Sequence, residues 1–321
     1  MTKEFRNLAA LGNQIDVPIP TDDAGLLGRE CPVSVCEGYF KVKPGTGLTG
    51  PGLQCHCPYC GHVGDPNTFW TKQQIEFAKS VAFQRFAEAV RKDLKQFEFD
   101  YPARGSFGIG ISMKLQPGPL PPLHQYREET LETRLTCDIC TLEYAVYGRF
   151  ACCPDCGVRN SLQVLRGNLS LVAKQMALAA TLEDPDFRTH IVEDALENCV
   201  SAFDGFARHV CEARLAAAGG QSHLGEFSFQ NLARGAGAVA RHFGVDLRGA
   251  LDQRAWSEAE RAFFKRHVIA HRAGVIDAKY VQESGDRSAI VGRRVVVSSS
   301  EVGTLAATIA RMGAELVRLL E

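Results

Sequence analysis

Apolar positions in this 321-residue chain follow one period in some stretches and a different one in others. Two short segments, Glu37-Gly-Tyr-Phe-Lys-Val-Lys43 and Leu142-Glu-Tyr-Ala-Val-Tyr147, alternate in the manner of half-buried strands. Elsewhere the spacing is helical. Over residues 71–97, Ile75, Ala78, Ala82, Phe86, Ala89 and Val90 share one stripe, which predicts an amphipathic helix packed through that face. Beyond Asp186 helices dominate. Residues 187–214 predict a long helix with Ile191, Ala195, Val200, Phe203, Phe206 and Val210 inward, ended by Gly219-Gly220. A short helix is predicted near residues 230–243 and another over 256–274, where Ser257 with Glu260 reads as a capping box and Gly274 as the exit. The last helix opens on Ser298 and Glu301 and runs to Leu320, with Leu305, Ile309, Met312, Leu316 and Leu319 inward. Arg293-Arg-Val-Val-Val-Ser298 before it reads as a strand-like connector.

Between the periodic stretches, residues 1–28 are polar and read as a loose tail, and residues 98–130, with Pro117-Gly-Pro-Leu-Pro-Pro122, read as a linker. The run Gly108-Ile-Gly-Ile111 lacks the following helix and lysine of a phosphate loop. The start of the chain shows no apolar leader, and no stretch approaches the roughly 18 apolar residues of a membrane span. A cytoplasmic protein with no membrane partner is expected.

Cysteine adds a second layer. Twelve cysteines, mostly in closely spaced pairs, fit metal ligation in a reducing compartment better than a disulfide framework. Cys137-Asp-Ile-Cys140 and Cys153-Pro-Asp-Cys-Gly157, twelve residues apart, flank one of the alternating strands. Two thiolate knuckles held by a hairpin make a zinc ribbon, because Zn2+ prefers four soft ligands in a tetrahedron. Cys31, Cys36, Cys57 and Cys60 repeat the scheme, although four residues rather than two separate Cys31 from Cys36, and Cys55 or His56 can substitute as a ligand. Cys153, with Cys156, is preferred over the adjacent Cys152. Eight sulfurs leave no open coordination position, so the two zinc ions are expected to be structural. Cys199 and Cys211 have no partner at metal spacing and read as buried small hydrophobes. The expected architecture is multidomain: a first zinc ribbon over residues 29–70, the connecting helix over 71–97, a second zinc ribbon over 131–165, and an all-α helical bundle over 166–321.

The formal charge of −1 excludes a global basic field, so any nucleic-acid contact must be a local patch such as Lys265, Arg266 and Arg272. Those residues lie on the helix of residues 256–274. Its circumference is largely apolar, yet it carries Arg266, His267 and His271, groups that are costly to bury unless paired or used. Arg266-His-Val-Ile-Ala-His271, followed by Arg-Ala-Gly-Val-Ile-Asp277 and Tyr280, resembles the Arg-polar-x3-His signature of HEPN domains, and the resemblance covers roughly residues 186–321.

That resemblance implies an all-helical, HEPN-like bundle and a metal-independent endoribonuclease of defence or stress systems. RNA carries its own nucleophile, the 2′-OH, so cleavage needs proton transfer and charge stabilisation at phosphorus. Carried over by position, Arg266 stabilises phosphate, His271 transfers protons and His267 takes the polar position. The family pattern also implies RNA as partner, a homodimer through the helical domain, and an antitoxin or other regulatory partner. Alternatives stay open. His267 and His271 have metal-ligand spacing without an evident third ligand, and Arg266 can pair with Asp204 or Glu197. The whole chain can also be a non-catalytic sensor of RNA, nucleotide or protein, or a transcription-associated adaptor.

Overall fold

The computed structural model describes residues 5–102, 109–131, 133–221 and 225–320. The chain divides into two compact units between Val158 and Arg159.

In the first unit the two alternating stretches lie side by side at the centre of one sheet. β1 (Leu27–Glu30) pairs antiparallel with β2 (Tyr39–Val42), and β7 (Thr133–Thr136) with β8 (Glu143–Val146). β2 and β8 then pair antiparallel, Lys41 opposite Ala145 and Val42 opposite Tyr144, so the order is β1-β2-β8-β7. The two cysteine-bearing segments, read along the chain as separate modules, therefore share a sheet. Because side chains alternate across a strand, Phe40, Val42, Tyr144 and Val146 fall on one face. There they pack with Phe69, Leu142, Ala151 and the cysteines. The opposite face sets Ala145 against Leu26 and Leu131. β3 (Cys55–His56) and β4 (Val63–Gly64) bracket the Cys57–Cys60 turn.

The polar start of the chain is tied down from Asn7 onward. α1 (Arg6–Ala10) packs on α2 (Lys72–Leu94), and the Asn7 and Leu8 amides donate to the buried Asp93 carboxylate at 2.9 and 2.8 Å. A reciprocal Thr71–Gln74 capping box opens α2. Its predicted stripe is only partly used: Ala89 is buried, but Ile75 and Phe86 are exposed, as is Phe83. Buried polar groups hold the helix instead, with Gln74 Nε2 donating to the Gly28 carbonyl (3.0 Å) and the Tyr126 hydroxyl (2.8 Å). A buried amide must be paired, so such bonds dictate which face turns inward. Inside the predicted linker, β5 (Phe99–Tyr101) and β6 (Ile111–Met113) form a hairpin. Gly108, the first residue of the Gly-Ile-Gly-Ile run, lies outside the described residues. The far end of that stretch is anchored by Glu128, which accepts the Gly28 amide at 2.6 Å and the Tyr39 and Tyr126 hydroxyls.

The second unit is helical. α3 (Ser161–Thr181) starts within the segment predicted as ribbon and packs along α4 (Pro185–Ala217); α8 (Ser299–Leu320) lies against both. α5 (Leu232–Phe243), α6 (Gln253–Arg272) and α7 (Ala278–Ser284) complete it. The core joins Leu165 of α3, Leu196, Phe203 and Phe206 of α4, Phe263 of α6, and Ile309, Met312 and Leu316 of α8. Leu320, rather than Leu319, is the buried leucine at the end of α8. Gly313 lets α8 approach closely, since a Cβ there would collide with Leu165 and come 3.2 Å from Phe206. Cys199 and Cys211 are fully buried in this core, and burial pushes both thiols up to about 12.

α6 starts one turn earlier than Ser257 predicts. The Asp252 carboxylate caps it by accepting the Ala255 amide at 2.8 Å, which places Ser257 and Glu260 inside the helix. It ends through Ala273 and Gly274, both left-handed (φ 49° and 79°), with the Gly274 amide returning to the Val268 carbonyl at 3.1 Å. The predicted connector forms no strand, only one bridge between Val275 and Arg294. The Ser298–Glu301 box forms as predicted: the Glu301 amide donates to Ser298 Oγ (3.2 Å) and the Ser298 amide to Glu301 Oε2 (2.8 Å). No described helix is long and apolar enough to cross a membrane.

Candidate functional site

Both cysteine groups are built by the same local rules. Each edge strand runs into a first knuckle whose leading amide returns to the hairpin, Cys31 to the Gly38 carbonyl (3.0 Å) and Cys137 to the Leu142 carbonyl (2.9 Å). The second cysteine of that knuckle is followed by a residue forced left-handed, Glu37 (φ 42°) or Thr141 (φ 63°). Each second knuckle is Cys-Pro-x-Cys-Gly. Cys57 donates to the His62 carbonyl and Cys153 to the Val158 carbonyl, both at 2.8 Å. Gly61 and Gly157 close the turns at φ 72° and 71°, a conformation that favours glycine. The turns aim amides at sulfur: Tyr59 and Cys60 at Cys57, Ile139 and Cys140 at Cys137, Asp155 and Cys156 at Cys153.

The sulfurs converge. Sγ–Sγ distances are 3.7 Å for Cys31–Cys60 and Cys36–Cys57, 3.6 Å for Cys137–Cys156 and 3.4 Å for Cys140–Cys153. All four ligand atoms in each group lie within 4.8 Å of one another. A tetrahedron with metal–sulfur bonds of about 2.3 Å has edges of about 3.8 Å, so each group can hold one ion and fits a zinc-ribbon module. Burial pushes the Cys31 and Cys140 thiols up to about 11, so a cation is what makes their ionisation favourable. The wide Cys31–Cys36 spacing is absorbed where the Val33 carbonyl accepts both the Cys36 and Glu37 amides at 2.9 Å. Cys55, His56 and Cys152 stand outside the two groups. Among the described residues no other cluster of three or more ligating side chains occurs, so His267 and His271 have no third ligand.

The α6 motif divides between surface and interior. His267 and His271 are exposed one turn apart, their ring centroids 4.8 Å from each other. His267 borders a cleft of about 290 Å3 whose polar lining includes Arg234, Glu260, Arg272, Lys279 and Tyr280. Burial, then the positive charges of His271, Lys279 and Arg266, lower the His267 pKa below 6.5, with Asp277 opposing. Arg266 is buried and donates from Nη1 to Gln230 Oε1. Gln230 Nε2 in turn donates to Asp204 at 3.1 Å, and the buried Asp204 also accepts the Phe229 amide (2.6 Å) and Arg208 (2.7 Å). Arg266 thus reaches the acid named as its alternative partner, through an intervening amide. Lys265 is not a surface charge: it is buried, pairs with Glu301 and donates to the Val296 carbonyl at 2.7 Å.

No family model, curated protein or solved structure matches this chain. The geometry therefore stands alone. It gathers all eight expected cysteines into two groups and sets both motif histidines together, with Arg266 beneath the surface. Nothing local in the sequence marks Gln230, Arg234, Lys279 and Tyr280 as parts of one cleft. Arg234 lies a helix away in sequence, and Lys279 and Tyr280 follow the left-handed turn after α6, so only the folded chain brings them to His267.

Proposed function

We propose that the helical unit is an endoribonuclease of HEPN type and that both tetracysteine groups are structural zinc sites. The observation that carries the first reading is the pair of exposed imidazoles 4.8 Å apart, one at the edge of a cleft bordered by Arg234, Arg272 and Lys279. His267, held neutral near pH 7 by its depressed pKa, accepts the proton of the attacking 2′-OH. His271 supplies a proton to the departing 5′-oxygen. The three cleft cations face phosphate, while Arg266 adds positive charge from below. The products are a 2′,3′-cyclic phosphate and a 5′-OH end. As in the family the motif resembles, two protomers combine their motifs in a homodimer.

The test is cleavage of labelled RNA, and of single-stranded DNA of the same sequence, by the purified full chain and by His271→Ala. RNA-only cleavage with cyclic phosphate ends, lost in the variant, supports the reading. Undiminished cleavage by His271→Ala, or equal cleavage of DNA, refutes it. A second reading, an RNA-binding sensor that does not cut, is favoured by one feature, the retention of Arg266 by Gln230. RNA bound tightly without products would select it. Metal analysis of the same preparation, with two zinc ions per chain, tests the ribbon assignment.

A further inference from the structure

The two cysteine groups are joined by more than the β2–β8 pairing. The His56 amide, one residue before the Cys57 knuckle, donates to the Pro154 carbonyl inside the Cys153 knuckle at 2.7 Å. The Cys152 amide, one residue before the Cys153 knuckle, donates to the Pro58 carbonyl inside the Cys57 knuckle at 2.8 Å. The exchange is reciprocal, because His56 and Cys152 hold equivalent positions in the two repeats, as do Pro58 and Pro154. Side chains from the same turns cross as well. Tyr59, between Cys57 and Cys60, accepts the Tyr147 amide at 3.0 Å and stacks on its ring. Asp155, between Cys153 and Cys156, accepts the Leu48 amide at 2.9 Å.

We infer that the two sites bind their ions with positive cooperativity, as one unit. A metal ion fixes its Cys-Pro-x-Cys turn, and each such turn presents the carbonyl and side chain on which the other is docked. An ion in one site therefore pre-forms part of the second, and the ordering cost of the second binding step falls. Coupling of this kind is reciprocal by linkage and commonly amounts to about 5- to 150-fold in affinity. The inference rests on the reading of both groups as zinc sites.

The experiment is native mass spectrometry of the metal-free full chain given one equivalent of Zn2+. Cooperative loading yields chiefly metal-free and two-zinc protein. Independent sites place about half or more of the chain in the one-zinc form, and that result overturns the inference while leaving the zinc assignment intact. Failure to bind zinc removes both. A second measurement is a competition titration against a colorimetric chelator. Cys140→Ser, which disables one site, is expected to weaken zinc binding at Cys31, Cys36, Cys57 and Cys60 by about fivefold or more. Tyr59→Phe/Asp155→Ala keeps all eight ligands and is expected to raise the one-zinc fraction. An unchanged fraction in that variant, or affinity within about twofold of wild type in Cys140→Ser, overturns the inference.

Discussion

Asp204→Ala isolates the polar support beneath the motif helix. The carboxylate is 6% exposed and is the acceptor for the Phe229 amide, Gln230 Nε2 and Arg208. Deleting it strands the buried Phe229 amide, which costs about 1–3 kcal/mol, whereas the exposed Gln230 recovers water. Arg208, 42% exposed, recovers water, so its ion pair adds no more than about 1 kcal/mol. The total expected loss is about 2–3 kcal/mol for Asp204→Ala. Asp204→Asn retains one acceptor oxygen and loses about 1–2 kcal/mol, and Arg208→Ala loses less than about 1 kcal/mol. Urea unfolding of the full chain, followed by helical circular dichroism, measures all three. The reasoning is refuted if Asp204→Ala costs under about 1 kcal/mol, or if Arg208→Ala matches it, which would put the stabilisation in the ion pair instead of the buried Phe229 amide. Function should follow the same order, since Gln230 loses its anchor and Arg266 is held by Gln230.

Three further outcomes are expected. The acid limb of the RNA-cleavage profile should lie below pH 6.5, because a base must be deprotonated and burial together with nearby cations depresses His267; Lys279→Ala removes one cation and should move that limb upward, whereas an unmoved or lower limb contradicts the assignment. Stripping metal with a strong chelator should open the sheet unit to proteolysis within residues 27–158 while residues 159–320, which have their own apolar core, stay protected; simultaneous digestion of both would deny that independence. Gly313→Leu forces a branched side chain against Leu165 and Phe206 and should lower stability by about 1–3 kcal/mol, read as a lower urea midpoint for helix loss, and an unchanged midpoint would mean α8 can shift freely.

Signals carried by neighbouring residues were legible in the sequence. The Cys-Pro-x-Cys-Gly knuckles, the Ser298–Glu301 cap and the Gly274 exit each depend on a few adjacent side chains and appear as read. Relations across long separations were not. Both cysteine groups were visible, but the antiparallel contact of Lys41 with Ala145 leaves no local trace. α3 was hidden because Gly167, Asn168 and Ser170 break up its pattern, although Leu165, Leu169 and Val172 bury well. On α2 the apolar stripe misled, since a buried glutamine and aspartate decide which face turns inward. Ser257 misled for a related reason, as a better-placed Asp252 caps first. At the candidate site the histidines were legible and the cleft was not.

The reciprocal junction between the two cysteine groups also bears on how the two halves can differ. Two identical ribbons meeting edge to edge about a twofold axis must place the same residue at each equivalent position, so any gain on one side is imposed on the other. One chain carrying both halves is released from that rule. His56 and Cys152 hold equivalent positions at the junction, as do Tyr59 and Asp155, and the second pair makes unlike contacts: Tyr59 meets Tyr147, and Asp155 accepts the Leu48 amide. The asymmetry lets one knuckle be stiffened by an aromatic ring and the other by a carboxylate, a division of labour that a symmetric dimer of single ribbons cannot adopt.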